Sequence, residues 1–252
     1  MKLDSYRDQV VMITGAAGGF GALLAAELAG MGARLVLADY DAEGLERVAA
    51  SLRATGAGIV AQRCDVTSEA EVGAVVAAAV QQFGRLDVGI NNAGILVPMK
   101  SLIDTEEADL DASFAVNVKG VFFGMKHQIR QMLTQGGGVV LNVASVAGIS
   151  GAPKLAAYAA AKHAVVGLTR TAAVEYARKN IRVNAVCPYY SPTPMVTESD
   201  AGEKQDFLAQ GSPMKRLGRP DEMVAAMLML CARENSYMTG QAVAVDGGVC
   251  AL

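Results

Sequence analysis

A glycine-rich turn between a predicted strand and a predicted helix constrains the fold more than any other feature of this sequence. Residues 9–13 (QVVMI) form a short β-branched run, residues 14–21 (TGAAGGFG) contain four glycines, and a helical pattern covers residues 20–31. Small residues let backbone amides approach a pyrophosphate, and a helix N-terminus offers unpaired N–H groups. A plain tight turn needs one or two glycines, so the segment predicts a dinucleotide phosphate site at Gly15, Gly18, Gly19 and Gly21.

The rest of the chain repeats the alternation of strand and helix. Apolar runs typical of strands buried on both faces recur at residues 34–38, 58–62, 86–90, 139–143, 182–186 and 242–245. Helical patterns lie between them, at residues 42–55, 69–83, 106–135, 156–179 and 221–233. This alternation predicts a seven-stranded parallel sheet with helices on both faces, a doubly wound, Rossmann-type α/β fold.

No Pro/Ser-rich linker divides the chain, so residues 1–252 are predicted to form a single dinucleotide-binding and catalytic domain. Residues 189–218 form its long irregular segment. Loops of that length in compact domains usually carry function, so this segment is the predicted substrate-binding loop.

The charge balance excludes several classes of protein. Only 19% of the residues are charged against 52% apolar, and the net charge is −3, so a disordered chain is excluded. The sequence has no block of basic residues, which argues against nucleic-acid binding. Lys215, Arg216 and Arg219 form a local basic cluster that is interpreted as a solvated loop edge.

The N-terminus and the cysteines indicate the cellular compartment in which the protein is expected. The first seven residues show no basic segment followed by an apolar one, so no secretory signal is predicted. The glycines and Glu27 within residues 15–33 argue against a membrane span. The four cysteines are far apart and form no Cys/His cluster, so neither a metal site nor disulfides are predicted, and a reducing cytoplasm is expected.

Asp39 ends the second predicted strand, roughly 20 residues after the glycine-rich turn, which is the spacing of an acidic ribose partner. A carboxylate there accepts hydrogen bonds from ribose hydroxyls and repels a 2′-phosphate. No Lys or Arg replaces Ala16 or Ala17, so NAD is favoured over NADP. The alternative is that Asp39 only caps the next helix, but Asp41 is better placed for that.

A tyrosine and a lysine one helical turn apart form the candidate proton-transfer pair. Tyr158 and Lys162 are at i and i+4 and therefore share a helix face. A free tyrosine has a pKa of about 10, and a neighbouring ammonium is expected to lower it toward the working pH. Such a phenol can move the hydroxyl proton of an alcohol or carbonyl. Ser145 follows the fifth predicted strand, where its hydroxyl can hydrogen-bond the substrate oxygen.

Taken in order, the motifs of nearly the whole chain resemble those of the short-chain dehydrogenase/reductase family. The matching pieces are residues 14–21, Cys64-Asp65-Val66, Asn91-Asn92-Ala93-Gly94, Asn117, Ser145, Tyr158-x-x-x-Lys162 and residues 245–248. The resemblance implies that Ser145 orients the substrate oxygen, that Tyr158 transfers the proton, and that Lys162 also holds the nicotinamide ribose. It adds Asn117 as part of a water-mediated proton relay through Lys162, a role that residue spacing alone does not indicate.

The resemblance also implies the contacts of the cofactor. Asp65 and Val66 are implied for the adenine, and Phe20 with Gly21 for the phosphate. Asn91, at the end of the fourth strand, is implied as a cofactor-side and sheet-stabilising residue. Further implied contacts follow the fourth and sixth strands and are Ala93, Gly94, Pro188, Ser191 and Thr193.

One position departs from the family pattern, because Tyr189 follows Pro188 where the family usually has glycine. A left-handed backbone would strain a tyrosine, so the loop is expected to take a different path, stiffened by Pro192 and Pro194. Tyr189 and Tyr190 are then candidates for the substrate pocket, with a packed-loop role as the equal alternative.

The other pocket candidates are apolar and are Leu96, Val146, Ile149, Met195 and Met214. Because no Arg or Lys lies among them to pair a substrate carboxylate, a hydrophobic secondary alcohol or ketone is the predicted substrate. The alternative is that these residues fill the core.

Other functions stay open on the sequence alone. One is an NADPH-dependent 3-oxoacyl thioester reductase, and another is a nucleotide-bound scaffold without turnover, which the intact Ser145, Tyr158 and Lys162 argue against. No G-x-S-x-G elbow surrounds Ser145, so a hydrolase is disfavoured. His127 and His163 are interpreted as structural. The family resemblance implies a homotetramer or homodimer that pairs the helices of residues 106–135 and 156–179.

Overall fold

Seven parallel strands form one sheet in this computed structural model, which describes residues 5–251. The strands are β1 (Val10–Thr14), β2 (Arg34–Asp39), β3 (Ile59–Arg63), β4 (Val88–Asn91), β5 (Gly138–Val143), β6 (Ile181–Pro188) and β7 (Ala242–Val245). Their order across the sheet is β3-β2-β1-β4-β5-β6-β7, and every neighbouring pair is parallel. The predicted seven-stranded parallel sheet is confirmed.

The strand order reverses at β1, which pairs with β2 on one side and with β4 on the other. The chain therefore winds outward in one direction from β1 to β3 and in the other from β4 to β7. In open α/β sheets, the crevice at the carboxyl ends of the strands flanking such a reversal binds the ligand. The topology therefore predicts a ligand site at the carboxyl ends of β1 and β4.

Helices cover both faces of the sheet. One face packs against α1 (Gly19–Gly30), α2 (Ala42–Arg53) and α9 (Pro220–Cys231). The opposite face packs against α3 (Glu69–Phe83), α5 (Val121–Gln135) and α6 (Ala156–Tyr176). Along β1, Val11 and Ile13 join the first core while Val10 and Met12 join the second. Burial on both faces explains why the strands are continuous apolar runs.

Two helices begin at an N-cap side chain, and the sequence predicts the first of them, Asp41. The carboxylate of Asp41 accepts a hydrogen bond from Gly44 N at 3.0 Å at the start of α2. The hydroxyl of Ser68 accepts one from Glu71 N at 3.4 Å at the start of α3. These side chains satisfy amides that the first turn of a helix leaves without partners.

Residues 106–135 are helical as predicted, but they are not one α-helix. A π-helical turn, Ala115–Gly120, separates α4 (Glu107–Phe114) from α5. Such turns insert an extra residue into a helix and recur at functional sites. Asn117 lies inside this turn.

Residues 189–218 are less irregular than the sequence suggests, because they contain the short helices α7 (Pro194–Thr197) and α8 (Gln205–Gly211). Val196, Ala201 and Leu208 form a small apolar core beneath them. This burial stabilises helical turns that are too short to stand alone. Within residues 5–251, no helix has both the length and the apolar character to cross a membrane.

Candidate active site

A cavity of about 940 Å³ opens at the carboxyl ends of the strands. Its wall includes most of the predicted site residues: Gly15, Gly18, Gly19, Phe20, Asp39, Asp65, Val66, Ala93, Gly94, Leu96, Ser145, Val146, Tyr158, Lys162, Pro188, Tyr189, Tyr190, Ser191, Thr193 and Met195. The predicted residues that do not line the wall are Gly21, Asn91, Asn117, Ile149 and Met214. The fold therefore places most of the predicted catalytic and cofactor residues on the wall of one cavity.

The glycine-rich turn needs its glycines for two different reasons. Gly15 and Gly19 have φ values of +68° and +52°, in the left-handed region that favours glycine. A Cβ on Gly21 would lie 2.0 Å from the carbonyl oxygen of Gly15, so α1 packs directly on the turn. Gly18 caps α1 without a side-chain hydrogen bond. The first amides of α1 and its positive dipole end thus face the cavity, an arrangement that fits a pyrophosphate.

Thr14 and Asn92 tie this turn to the end of β4. The hydroxyl of Thr14 accepts hydrogen bonds from the amides of Asn92 and Ala93, both at 3.1 Å. The Asn92 amide group donates to the carbonyls of Thr14 and Gly15 at 3.0 Å and 2.9 Å. Both residues lie in motifs that the sequence displays, but the sequence alone does not predict that they join the glycine-rich turn to β4.

Asp39 lines the cavity and also shapes the turn. Its two carboxylate oxygens accept hydrogen bonds from Ala17 N and Asp41 N, each at 2.9 Å. The neighbouring ring of Tyr40 packs beneath the guanidinium of Arg63, at 4.8 Å from its centroid. Arg63 also forms an ion pair with Glu71 at 2.9 Å.

Asp65 follows β3 and is held in a tight local turn. Its Oδ1 accepts hydrogen bonds from the amide and the hydroxyl of Thr67, at 2.9 Å and 2.8 Å. These bonds lower the pKa of Asp65, so its carboxylate is ionised at the edge of the cavity.

Ser145 and Tyr158 line the same cavity, and Ser145 Oγ accepts a hydrogen bond from Ala147 N at 3.1 Å, in a 3₁₀ turn that follows β5. Burial raises the pKa of Tyr158 to about 12, and the neighbouring Ser145 hydroxyl acts in the lowering direction. The predicted lowering of this pKa is therefore wrong for the protein without ligands, because desolvation of the phenolate outweighs the favourable contacts.

Lys162 lies one turn beyond Tyr158 on α6, and its Nζ is 5.5 Å from the centre of the Tyr158 ring. Nζ donates a hydrogen bond to the carbonyl of Val143 at 2.8 Å. Lys162 is buried, and this burial lowers its pKa to about 8. The ammonium is therefore largely charged at neutral pH but poised to titrate just above it.

Asn117 does not line the cavity but lies directly behind it. Its Oδ1 accepts from Ile95 N and its Nδ2 donates to Ile95 O, both at 3.0 Å. A Cβ on Gly94 would lie 2.9 Å from Asn117 Oδ1 and 3.6 Å from Lys162 Nζ, so both groups flank the backbone of Gly94. Nδ2 also donates to the buried Ser113 hydroxyl at 3.1 Å.

Asn91 belongs to a buried polar network rather than to the cavity wall. Its Nδ2 donates to Gln128 Oε1 at 3.1 Å and to Asn142 Oδ1 at 2.8 Å. Asn142 in turn donates to the hydroxyl of Thr169 at 2.9 Å. The network joins β4 and β5 to α5, which follows the π turn, and to α6, which carries the Tyr-Lys pair. Sequence reasoning did not find Gln128, Asn142 or Thr169.

The end of β6 shows how the chain accommodates Tyr189. Among residues 5–251, the non-glycine residues with positive φ are Asp8, Lys154, Asn180 and Lys215, so Tyr189 is unstrained. Its amide donates to Val245 O at 3.0 Å and continues the pairing of β6 with β7. Further along, the Ser191 Oγ is buried and has no hydrogen-bond partner among the described residues.

Two predicted pocket residues lie elsewhere. Ile149 packs against the core on the α5 and α6 face of the sheet. Met214 is exposed and lies beside Gly247.

Both histidines also lie outside the cavity wall. The ring of His163 pairs with the carbonyl of Ala159, and His127 lies 3.3 Å from a carboxylate oxygen of Glu69. Within residues 5–251, no group of three His, Cys, Asp or Glu side chains is arranged to hold a metal ion.

Comparison with known proteins agrees with the geometry. A family model described as enoyl-(acyl carrier protein) reductase, of the short-chain alcohol dehydrogenase type, matches residues 15–250. Levodione reductase from Leifsonia aquatica is 40% identical over 253 residues, which cover 96% of this chain and 94% of that protein. The chain belongs to the short-chain dehydrogenase/reductase family. It is accordingly an oxidoreductase of the alcohol dehydrogenase and ketone reductase class, and its cofactor is a nicotinamide dinucleotide.

Other relatives of this short-chain dehydrogenase/reductase are named for different substrates. Cyclohexanol dehydrogenase from Acinetobacter sp. is 36% identical, with 97% of this chain and 96% of that protein covered. A 3-oxoacyl-(acyl-carrier-protein) reductase from Thermotoga maritima is 37% identical, with 96% and 97% covered.

Solved structures give the same fold. The crystal structure of levodione reductase matches with a TM-score of 0.93 at 39% identity, covering 98% of this chain and 99% of that one. The structure of NAD⁺-bound xylitol dehydrogenase matches with a TM-score of 0.92 at 34% identity, covering 96% and 99%.

Proposed function

We propose that this protein is an NAD(H)-dependent oxidoreductase that interconverts an uncharged, hydrophobic secondary alcohol and its ketone. The observation that carries the proposal is the position of Ser145, Tyr158 and Lys162 on the wall of one largely apolar cavity, with Lys162 Nζ 5.5 Å from the centre of the Tyr158 ring. A proton-transfer group beside an apolar binding space suits an alcohol better than a charged substrate.

Tyr158 is proposed to exchange the hydroxyl proton with the substrate. During oxidation its phenolate accepts the proton of the alcohol, and during reduction its phenol donates a proton to the carbonyl oxygen. The Ser145 hydroxyl is proposed to orient the substrate oxygen and to favour the phenolate, in line with its lowering effect on the pKa of Tyr158. NAD⁺, when bound, would supply the hydride acceptor.

Lys162 is proposed to hold the nicotinamide ribose and to pass protons toward solvent together with Asn117. The support is their shared position around Gly94, with the ammonium anchored by Val143 O at 2.8 Å. Asn117 is fixed by paired hydrogen bonds to Ile95, so its orientation does not depend on the substrate.

The dinucleotide itself fits the residues present. The start of α1 offers the pyrophosphate a cradle, which is formed by Gly15, Gly18 and Gly19 and has no side-chain cap. Asp39 offers a carboxylate for the adenosine ribose. Asp65 and Val66 line the same end of the cavity for the adenine. The buried and unpartnered Ser191 Oγ is a donor that a carboxamide would satisfy.

NAD is proposed over NADP because Asp39 would repel a 2′-phosphate. The cation nearest in the sheet is Arg63, which pairs in register with Asp39. Its guanidinium is held by the Tyr40 ring and by Glu71. Because Tyr40 and Glu71 already engage this guanidinium, it is less available to bind the 2′-phosphate of NADP.

The substrate class follows from the lining of the cavity. Lys162 is the single Lys or Arg side chain in the lining formed by residues 5–251, so no other cation can pair a substrate carboxylate. The lining includes the apolar side chains of Leu96, Val146 and Met195 together with Tyr189 and Tyr190. The relative named for cyclohexanol supports a ring-shaped alcohol or ketone.

The Thermotoga maritima relative favours a second candidate function, reduction of a 3-oxoacyl thioester with NADPH. An acidic carrier protein would need exposed, unpaired cations near the cavity. Arg216 forms a two-point ion pair with Glu222, at 2.7 Å and 2.8 Å, and Arg219 pairs with Asp221 at 3.0 Å. The basic cluster is thus largely neutralised, which favours the small-alcohol function.

Purified protein assayed with a panel of secondary alcohols and ketones tests the proposal. Cyclohexanol with NAD⁺ should give cofactor reduction, whereas an acetoacetyl thioester with NADPH should react poorly. Greater activity on the thioester would replace the proposed function with the second candidate. Tight NAD binding without turnover of any alcohol would support the scaffold alternative.

We also propose a homotetramer or homodimer in a reducing cytoplasm. Leu110, Phe122, Leu133 and Val174 on α4, α5 and α6 are large apolar side chains left exposed on the single chain. Helices with such faces commonly pair between subunits. The four cysteines are free thiols, as a reducing compartment requires. Size-exclusion chromatography with light scattering should give an oligomer, and a strict monomer would contradict this proposal.

A further inference from the structure

Tyr189 and Tyr190 both line the cavity, but their hydroxyls have different surroundings. The Tyr189 hydroxyl donates a hydrogen bond of 3.2 Å to the carbonyl of Leu208 in α8. Within residues 5–251, the Tyr190 hydroxyl has no hydrogen bond to any side chain or backbone group. Of the two adjacent tyrosines, only Tyr189 therefore uses its hydroxyl for a hydrogen bond within the described residues.

The Tyr190 ring is nevertheless held in place. It packs against the small core of Val196, Ala201 and Leu208. It also meets the Tyr189 ring edge to face, with centroids 5.0 Å apart and planes at 84°. The Tyr190 carbonyl accepts a hydrogen bond from Gly218 N at 3.3 Å. A fixed ring with a free hydroxyl is pre-organised to bind a ligand.

Tyr190 lines the same cavity as Ser145 and Tyr158, and it packs on the same small apolar core as the cavity residues Leu96 and Met99. A substrate whose reacting oxygen meets Tyr158 therefore shares this cavity with the Tyr190 side chain.

The other hydroxyls of the cavity wall have different roles. Ser150 donates to Val146 O at 3.0 Å, and Ser145 is proposed to orient the reacting oxygen of the substrate. The Ser191 and Thr193 hydroxyls have no hydrogen-bond partner among the described residues, but both belong to the residues expected to contact the cofactor. Tyr190 is left as the free hydroxyl of an otherwise apolar substrate wall. Covering it with a plain hydrocarbon ring would leave it unsatisfied, whereas a substrate oxygen would satisfy it.

We propose that Tyr190 is a specificity residue that donates a hydrogen bond to a second, uncharged oxygen of the substrate. The preferred substrate is then a ring that carries one hydroxyl or carbonyl at the reacting carbon and another elsewhere on the ring. This inference rests on the proposed function. Tyr189 acts differently, as a positioning residue that holds α8 against the cavity.

The ratio of kcat/KM for a diol to that for cyclohexanol tests the inference. The probes are cyclohexanol, cyclohexane-1,3-diol and cyclohexane-1,4-diol, each with NAD⁺. Wild-type enzyme should favour the better diol by roughly tenfold or more, as sites built to hydrogen-bond a substrate oxygen do. Tyr190→Phe keeps the packed ring and should reduce that ratio to about one. The matched control Tyr176→Phe removes the hydroxyl of a tyrosine on α6 that does not line the cavity, and it should leave the ratio within about twofold of wild type.

A second measurement needs no variant. In wild-type oxidation of cyclohexanol, cyclohexane-1,4-dione should inhibit at a concentration at least roughly fivefold lower than cyclohexanone does. Equal inhibition by the two ketones, or a diol preference that survives Tyr190→Phe, would overturn the role of Tyr190 and leave the proposed function standing. Failure of the wild-type enzyme to oxidise any of the alcohols would instead reject the proposed function.

Discussion

The Nζ of Lys162 donates a 2.8 Å hydrogen bond to the backbone carbonyl of Val143. The ammonium on α6 is thereby fixed to the last residue of β5, two residues before Ser145. Tyr158, one turn earlier on α6, lines the same cavity as Ser145, and its ring centre lies 5.5 Å from Lys162 Nζ. The geometry of the proton-transfer group therefore depends on the packing of one helix against one strand, both of which are rigid elements.

Replacing Tyr158 by phenylalanine should abolish most of the activity without disturbing the fold. The ring would still fill its place, but no group could exchange a proton with the substrate oxygen, so kcat should fall roughly 10²- to 10⁴-fold. The matched control is Tyr176→Phe on the same helix, because Tyr176 packs against the core and does not line the cavity. Turnover and NAD binding should be measured together, and a Tyr158→Phe enzyme with wild-type turnover would refute the mechanism.

Oxidation and reduction should respond to pH in opposite directions. Burial raises the pKa of Tyr158 to about 12, so the phenolate needed for alcohol oxidation increases as pH rises, and kcat/KM for oxidation should climb across roughly pH 6 to 9. Ketone reduction needs the phenol, which stays protonated over this range. It should decline as the pH rises through about 8, where Lys162 loses its charge. Profiles of kcat/KM in both directions measure this, and an oxidation rate independent of pH would contradict it.

Local sequence signals predicted the sheet, the glycine-rich turn and the Tyr158-Lys162 pair, whereas the family resemblance supplied many of the other cavity residues. The glycine-rich turn, Asp39 and the Tyr158-Lys162 spacing are properties of neighbouring residues, so one sequence displays them. The end of β1 and the start of α1 follow from such local chemistry. The roles of individual site residues stay predictions until variants are assayed.

Other features depend on residues that are distant in the chain. Asn142 pairs with Asn91, 51 positions earlier, and no local pattern indicates that a buried asparagine will find that partner. The π turn at Ala115–Gly120 contains the side chain of Asn117, whose partner is the backbone of Ile95, 22 positions earlier. The raised pKa of Tyr158 has a similar origin, since it arises from burial that only the folded chain creates.

Replacing Asp39 by asparagine should move cofactor preference toward NADP. Asparagine removes the charge that repels a 2′-phosphate and keeps an oxygen that can accept a hydrogen bond from Ala17 N. The ratio of kcat/KM for NADP⁺ to that for NAD⁺ should rise roughly tenfold or more. The control is Asp41→Asn, because Asp41 caps α2 and does not line the cavity. A wild-type preference for NADP⁺ would contradict the argument before any variant is made.

Replacing Gly21 by alanine should damage the turn itself rather than a contact with substrate. The added Cβ would lie 2.0 Å from the carbonyl oxygen of Gly15, and backbone must move to relieve that overlap. We expect a loss of about 2 kcal/mol or more in the free energy of unfolding, with weaker NAD binding because the cradle of amides shifts. Gly30→Ala is the matched control at the other end of α1, where a Cβ meets nothing within 4 Å. It should raise stability by up to about 1 kcal/mol, because alanine is the better helix former. Thermal unfolding and NAD titration of both variants measure the difference, and equal stability of the two would show that α1 does not need to pack directly on Gly15.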